Sequence, residues 1–204
     1  MQEKTDYLKD ISEIRSMMER SSRFISLSGL SGVMAGIYAL IGAYIAYQIT
    51  HAGIGGEETY GRSLTVIRYL LLDAVVVLAL AIGTGIWLTT RRAKQQGLKI
   101  WDSTARRLVI NLLIPLVTGG VFALIMLYRG YTGVVAPSML IFYGLALINA
   151  SKYTLSDVRY LGITEIILGL IASFMVGYSL MFWTLGFGVL HIVYGTVMYF
   201  KYER

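Results

Sequence analysis

The amino-acid sequence predicts an all-α integral membrane protein: a six-helix transmembrane bundle preceded by an amphipathic helix. Hydrophobic residues make up 56% of the chain and charged residues only 15%. In soluble domains about a quarter of the residues are charged. Apolar segments of about 20 residues, the length that crosses the hydrocarbon of a bilayer, recur along the sequence. Charges flank these segments, so the net charge of +6 indicates membrane topology and excludes a nucleic-acid-binding stripe.

The amino-terminal segment, residues 1–24, carries charges of both signs and precedes the first apolar run. Tyr7, Leu8, Ile11 and Ile14 recur there at helical spacing, which predicts an amphipathic helix on the cytoplasmic membrane surface. The alternative is that this helix packs against the cytoplasmic ends of the protein itself. No small-residue cleavage site follows a short apolar core, so we expect no cleavable signal peptide.

Residues 25–204 form the predicted transmembrane domain. Its apolar segments are 25–48, 66–89, 107–128, 134–152, 158–182 and 184–201. Each approaches the length needed to cross a bilayer at about 1.5 Å per residue. We expect a tight turn near Trp183 and Thr184, and a polar, glycine-rich outer loop at 51–63.

The distribution of Lys and Arg predicts the orientation of the spans. Fifteen of these residues lie in the amino-terminal segment, the second and fourth connections and the tail, against three on the opposite side. Cytoplasmic loops carry the excess of positive charge, so both termini should be cytoplasmic. The second connection, 91–107, is the most basic. It could hold anionic lipid or a cytoplasmic protein, although the topology rule alone accounts for its charge. The candidate docking residues are Arg91, Arg92, Lys94, Arg106 and Arg107.

Two short matches indicate an internal repeat. The string "ALIGA" (39–43) falls over "ALINA" (146–150), and "RYL" occurs at both 68–70 and 159–161. Each half would hold three spans, so halves 25–130 and 131–204 would form an inverted repeat, a plan that many transporters use. Chance matching among apolar segments is the alternative.

Three ionisable residues lie inside predicted spans, where they are costly and usually face protein or water. Asp73 and His191 lie about 10 Å from the outer ends of their spans, and Glu165 lies as far from an inner end. We therefore expect Asp73 and His191 at one level and Glu165 at another. Each also has a structural reading: Asp73 paired with Arg68, His191 as a neutral hydrogen-bonding residue, and Glu165 as a protonated acid bonded to Asn149.

Other polar residues gather near the predicted inner ends of spans three and four. Pro115 leaves the carbonyl of Asn111 without its helical donor, and Thr118 with two glycines follows, which predicts a kink or local unwinding. Asn149 lies on the same side of the membrane. An irregular span beside a buried acid is where a transporter coordinates an ion.

Small residues form a ridge on the first span, at Ser28, Gly32 and Gly36. Because such ridges let transmembrane helices approach closely, this one is a candidate homodimer interface.

These patterns favour a transporter or channel for a proton-coupled or cationic small solute. Its pathway would be lined by Asp73, Asn111, Thr118, Asn149, Glu165 and His191. Glu165 would bind and release the ion, and Asp73 with His191 would form an outer gate or relay. The alternative is a non-transporting membrane sensor or assembly partner, which docks a protein or lipid through the basic connection and the amphipathic helix.

Enzyme chemistry is disfavoured. The sequence contains no nucleotide-binding loop, no His-Glu-x-x-His and no nucleophile elbow, and we expect no cofactor. A metal site built from Asp73, Glu165 and His191 is disfavoured by their expected difference in depth, and the absence of cysteine excludes thiolate ligands. In general plan the chain resembles small six-span bacterial inner-membrane proteins. That resemblance implies a bacterial inner (plasma) membrane location and carries no functional residues with it.

Overall fold

The computed structural model describes residues 28–51, 59–97 and 100–204, and these ranges are helical without any strand. Their long helices are α1 (Gly29–His51), α2 (Thr59–Gln95), α3 (Ser103–Tyr128), α4 (Thr132–Ala150), α5 (Asp157–Phe174) and α6 (Ser179–Tyr202). Single 3₁₀ turns, Ser151–Tyr153 and Val176–Tyr178, precede α5 and α6. The predicted amphipathic helix at 1–24 and residues 52–58 of the glycine-rich loop lie outside the described residues.

Helix length and apolar character confirm the prediction of an all-helical chain of the membrane-spanning type. Within the described ranges, five segments are long and apolar enough to cross a bilayer: Gly29–Thr50, Leu64–Gln95, Ser103–Tyr128, Thr132–Tyr153 and Ser179–Tyr202. Helix α5 differs because its 18 residues include Asp157, Arg159 and Glu165. A crossing by α5, and with it the six-helix bundle, stays a prediction.

The turn between the last two helices is not where the sequence predicts it. Helix α5 ends at Phe174, and α6 begins at Ser179, so Trp183 and Thr184 lie inside a helix. The break falls beside Gly177, a weak helix former within an otherwise apolar run. Apolar composition alone hid this break, because the run "FMVGYSLMFW" has no charged residue to mark it.

Helices α1 and α6 pack against each other through small residues. A Cβ added at Gly32 would lie 3.2 Å from the Cα of Gly195, and one at Gly36 would lie 2.6 Å from the carbonyl oxygen of Gly188. Ser28, at the start of the same ridge, is also buried. The ridge that the sequence suggests for dimerisation is thus engaged within the chain, and a homodimer would need a different surface.

Helices α4 and α5 pack just as closely. A Cβ at Gly144 would lie 2.5 Å from the carbonyl oxygen of Gly162, and a Cβ at Gly162 would lie 2.7 Å from that of Gly144. This approach of the two backbones carries Glu165, one turn after Gly162, into the interior. The remaining long helices flank these pairs, with α2 along α1 and α3 along α4.

The last turn of α6 is tied to the end of α2 and the start of α1. The Arg92 guanidinium forms an ion pair with the Glu203 carboxylate at 2.9 Å and donates to the Tyr202 carbonyl at 2.7 Å. Glu203 also accepts hydrogen bonds from the Gly29 backbone N–H and, at 3.4 Å, from the Ser28 hydroxyl.

A second tie joins the same turn to α5. Lys201 Nζ lies 2.8 Å from Asp157 Oδ2, and the Tyr202 hydroxyl donates to the same oxygen at 2.6 Å. Together the two ties connect one end of α6 to α1, α2 and α5.

Candidate functional site

A buried carboxyl group on α5 has no hydrogen-bond partner among the described residues. Glu165 is 0% exposed, and neither of its oxygens forms a hydrogen bond with any described residue. Gly186 of α6 packs so closely that a Cβ there would come within 2.5 Å of Glu165 Oε2. The same Cβ would meet methyl groups of Leu140 and Leu168, at 2.5 Å and 3.2 Å. The surroundings of the carboxyl are therefore mainly hydrocarbon.

The imidazole of His191, which is 6% exposed, lies beside this carboxyl. His191 Nδ1 lies 3.5 Å from Glu165 Oε1 and 3.0 Å from the carbonyl oxygen of Gly186. On the other side of the ring, Nε2 lies 2.7 Å from the hydroxyl of Tyr143. Tyr143, His191 and Glu165 thus form a continuous chain of polar groups from α4 through α6 to α5.

This geometry assigns the histidine tautomer. A carbonyl oxygen can only accept, so the hydrogen of the neutral ring must be on Nδ1, where it donates to Gly186. Nε2 then carries the lone pair and accepts from the Tyr143 hydroxyl. Both ring nitrogens are satisfied, and the Glu165 carboxyl beside them is not.

The local irregularity that makes this possible is in α6. Residues Thr184–Leu190 form a π-helical segment, a widened turn that is frequent at functional sites. It places the Gly186 carbonyl within reach of the His191 side chain, five residues later. The ring of Phe187 lies 5.0 Å from that of Tyr143 and is stacked at 5.8 Å on the imidazole, which fixes both rings.

The structure corrects the expected depth of the ionisable residues. His191 was expected level with Asp73 and away from Glu165, yet it contacts Glu165. The physical reason is that the turn between α5 and α6 lies earlier in the chain than the sequence predicts. With α6 beginning at Ser179 and α5 ending at Phe174, His191 and Glu165 both fall near the midpoints of their helices.

Asp73 does not join this pair. It is half-buried on α2, where its carboxylate faces Gly42 of α1; a Cβ on Gly42 would lie 3.3 Å from Asp73 Oδ2. No described residue forms a hydrogen bond or ion pair with Asp73, and the predicted partner Arg68 is exposed. The gate expected from Asp73 and His191 is not formed by any described contact.

The predicted polar residues of α3 and α4 also form their hydrogen bonds outside the pair of Glu165 and His191. Asn111 Nδ2 donates to the Arg107 carbonyl at 2.8 Å, and the exposed Thr118 hydroxyl donates to the carbonyl of Ile114 at 2.7 Å. Asn149 accepts from Lys152 Nζ at 3.5 Å and does not contact Glu165. Helix α3 continues through the proline without a break, so the predicted unwinding is not found there.

The basic residues divide into two groups. Arg92 is held in its ion pair with Glu203 and has a side chain only 11% exposed, which takes it out of the candidate docking surface. The other candidates are exposed: Arg91, Lys94, Arg106 and Arg107. The Arg91 guanidinium lies 5.7 Å above the ring of Trp87. Trp101, in the connection between α2 and α3, is 67% exposed.

Sequence reasoning missed Tyr143 and Gly186. Nothing in the sequence separates Tyr143 from the other members of a set of 15 tyrosines. Gly186 had a weak signal, because "LGFGVLH" places two glycines just before the only histidine within a predicted span. Among the described residues, no group of three or more His, Asp or Glu side chains could hold a metal ion.

These features define the class of the protein: an all-helical chain with five candidate membrane-spanning helices, in which a buried carboxyl of α5 contacts an imidazole of α6. No protein-family model, curated protein or solved structure matches the chain.

Proposed function

We propose that this chain is a small transporter of a bacterial inner membrane that binds a proton or small cation at Glu165 and His191. One observation carries the proposal: Glu165 is fully buried, lacks a hydrogen-bond partner among the described residues and lies 3.5 Å from a buried imidazole. A buried ionisable group without a partner opposes folding, because its desolvation is not compensated. In a membrane helix such a group is a functional-site candidate, with its neighbour as the natural partner.

The position of the pair supports this reading. Transporters commonly bind their coupling ion near the bilayer midplane and beside an irregular helix. Here Glu165 and His191 lie near the middle of α5 and α6, and the irregular helix is the π-helical segment of α6. This interpretation includes a crossing by α5, which gives six spans with both termini cytoplasmic.

The pattern of helix packing is compatible with the inverted repeat. Helix α1 packs against α2 and α6, and α4 packs against α5 and α3. If α1, α2 and α3 correspond to α4, α5 and α6 in that order, the two neighbours of α1 correspond to the two neighbours of α4. The correspondence covers these pairs alone, because α4 also packs against α6 whereas α1 has no comparable packing against α3.

Reconstitution into liposomes tests the proposal. We expect purified wild-type protein to move protons or a small cation down an imposed gradient, and Glu165→Gln to abolish that movement while the protein stays folded. Asp73→Asn is the matched control, because it also neutralises an acid within a helix but lies outside the pair. Equal fluxes for wild type and Glu165→Gln across pH, Na⁺ and K⁺ gradients would contradict transport through this site.

A second function is favoured by a separate observation, the exposed Arg91, Lys94, Arg106 and Arg107 beside Trp101. In that alternative the chain is a sensor or assembly partner that docks an anionic lipid or a cytoplasmic protein. Reversal to Glu at Arg91, Arg106 and Arg107 would then abolish its cellular role, while Glu165→Leu would leave it unchanged. The transporter proposal predicts the opposite pair of results.

A further inference from the structure

We infer that the ion held at this site is a proton, which is relayed between Tyr143, His191 and Glu165. The inference rests on the proposed transport function and makes it specific, since it names both the coupling ion and a third residue of the site. It follows from what surrounds the carboxyl, from the state of the histidine ring and from the charges on the neighbouring helices.

The groups around Glu165 suit a proton better than a metal cation. Hard cations need many oxygen ligands, about six to eight for Ca²⁺ and a near-octahedral set for Mg²⁺. Glu165 offers two oxygens, whereas the methyl groups of Leu140 and Leu168 crowd the adjoining Gly186. The Gly186 carbonyl already accepts from His191. A proton needs only one oxygen and adds no volume.

The neighbouring helices supply no competing charge. Residues 29–50 of α1 and 132–150 of α4 contain no Asp, Glu, Lys, Arg or His, and Tyr143 is the titratable group that α4 directs at the site. On α5, Asp157 and Arg159 lie at the amino-terminal end, and Asp157 is engaged by Lys201 of α6. Glu165 and His191 can therefore compensate only each other. With the imidazole neutral, an ionised Glu165 carboxylate carries an uncompensated charge, and the uptake of one proton takes the net charge of the pair from −1 to zero.

The transfer begins with an ionised Glu165 carboxylate and a neutral His191 whose hydrogen is on Nδ1. The His191 Nδ1–H bond breaks and a Glu165 Oε1–H bond forms, while Nε2 takes the hydroxyl proton of Tyr143. The tyrosine oxygen regains a proton from hydronium or a protonated solute, so it stays neutral and the site takes up one proton in all. The step needs the 3.5 Å between Nδ1 and Oε1 to shorten to the about 2.7–3.0 Å of a hydrogen bond. After the step, Nδ1 carries no hydrogen and faces the Gly186 carbonyl oxygen. Two acceptors then face each other, and this unfavourable arrangement makes proton binding reversible.

The ring state can be measured directly by nitrogen NMR of protein labelled in histidine. The chain has two histidines, His51 and His191, so His51→Gln assigns the signals. We expect His191 as the neutral Nδ1–H tautomer in wild type. Tyr143→Phe should shift its Nε2 resonance, whereas Tyr160→Phe, at an exposed position on α5, should leave it unchanged. An Nε2–H tautomer in wild type, or no response to Tyr143→Phe, would overturn the relay.

Flux measurements separate this inference from the proposed function. In proteoliposomes we expect a pH gradient to drive flux and Na⁺ or K⁺ gradients to drive none. Tyr143→Phe should lower the proton flux at least about tenfold without loss of thermal stability, and Tyr160→Phe should not change it. Flux driven by Na⁺ or K⁺, lost in Glu165→Gln and retained in Tyr143→Phe, overturns the relay but keeps the transporter. No flux under any gradient overturns both.

Discussion

Glu165 is a residue whose chemistry opposes folding. A buried polar group that lacks its hydrogen bonds destabilises the folded state by about 1–3 kcal/mol, and a charged one by more. His191 does not remove this penalty, because its Nδ1 donates to Gly186 and lies 3.5 Å from the acid. No contact of a described residue makes this carboxyl stabilising, which agrees with the proposed role in ion binding.

Replacement of Glu165 by leucine should separate these roles. We expect Glu165→Leu to leave the free energy of unfolding unchanged or raise it by about 1–3 kcal/mol, since an apolar group then fills an apolar site. Chemical unfolding in detergent would measure this, with Leu140→Ala as a control that should lose about 2–5 kcal/mol. Marked destabilisation by Glu165→Leu would mean that the carboxyl has a structural role after all.

The sequence could identify the acid but not its surroundings. Glu165 and His191 stand out because each is an ionisable residue inside an apolar run. Their contact depends on helix ends that composition does not mark, and Tyr143 becomes special only because α4 packs on α5 and α6. Asn111 and Thr118 were misleading because short polar side chains in a helix are readily satisfied by carbonyls one turn back.

Among the helices, α1 packs closely on α6, the helix that carries His191. Gly195 of α6 lies on the backbone of α1, and a Cβ there would come within 2.5 Å of the Val33 nitrogen and 2.6 Å of the Gly29 carbonyl oxygen. These are backbone atoms, which cannot move aside as a side chain can. The small residues were recognisable in the sequence, but the partner they pack against was not.

Alanine at this position should therefore force the two helices apart. We expect Gly195→Ala to destabilise the protein by about 1–3 kcal/mol through overpacking. Gly83→Ala is the matched control, because no atom lies within 4 Å of its added Cβ, and it should stabilise α2 by about 0.5–1 kcal/mol. Thermal unfolding of both variants in the same detergent would measure the contrast. Equal effects would contradict the close packing of α1 on α6.

Across the whole molecule, the end of α6 connects elements from both halves of the chain. Arg92 and Glu203 have side chains that are 11% and 14% exposed, so their ion pair is screened less than a surface pair. Removing either side chain takes a charge interaction away from a partly buried group, which is destabilising. None of this was evident from the sequence, where Arg92 was one of several residues in a basic connection.

A double-mutant cycle should reveal the connection between Arg92 and Glu203. We expect Arg92→Met and Glu203→Gln each to lower the free energy of unfolding, and the double variant to lower it by less than the sum. The coupling should be about 0.5–3 kcal/mol. Arg91→Met serves as control, since Arg91 is exposed above Trp87 and should show no coupling to Glu203→Gln. Strict additivity of Arg92→Met and Glu203→Gln would contradict the ion pair.

The path of the chain through the membrane can be tested at the two ends of α5, the helix whose crossing decides between five spans and six. The chain contains no cysteine, so Lys152→Cys and Gly177→Cys each introduce a single thiol, before and after α5. If α5 crosses and the termini are cytoplasmic, a membrane-impermeant maleimide should label Gly177→Cys in intact cells. It should label Lys152→Cys only after the cells are permeabilised. Labelling of both variants, or of neither, would place both ends of α5 on one side. One of the helices that form the site would then not span the bilayer. A pathway through Glu165 would in that case not cross the membrane.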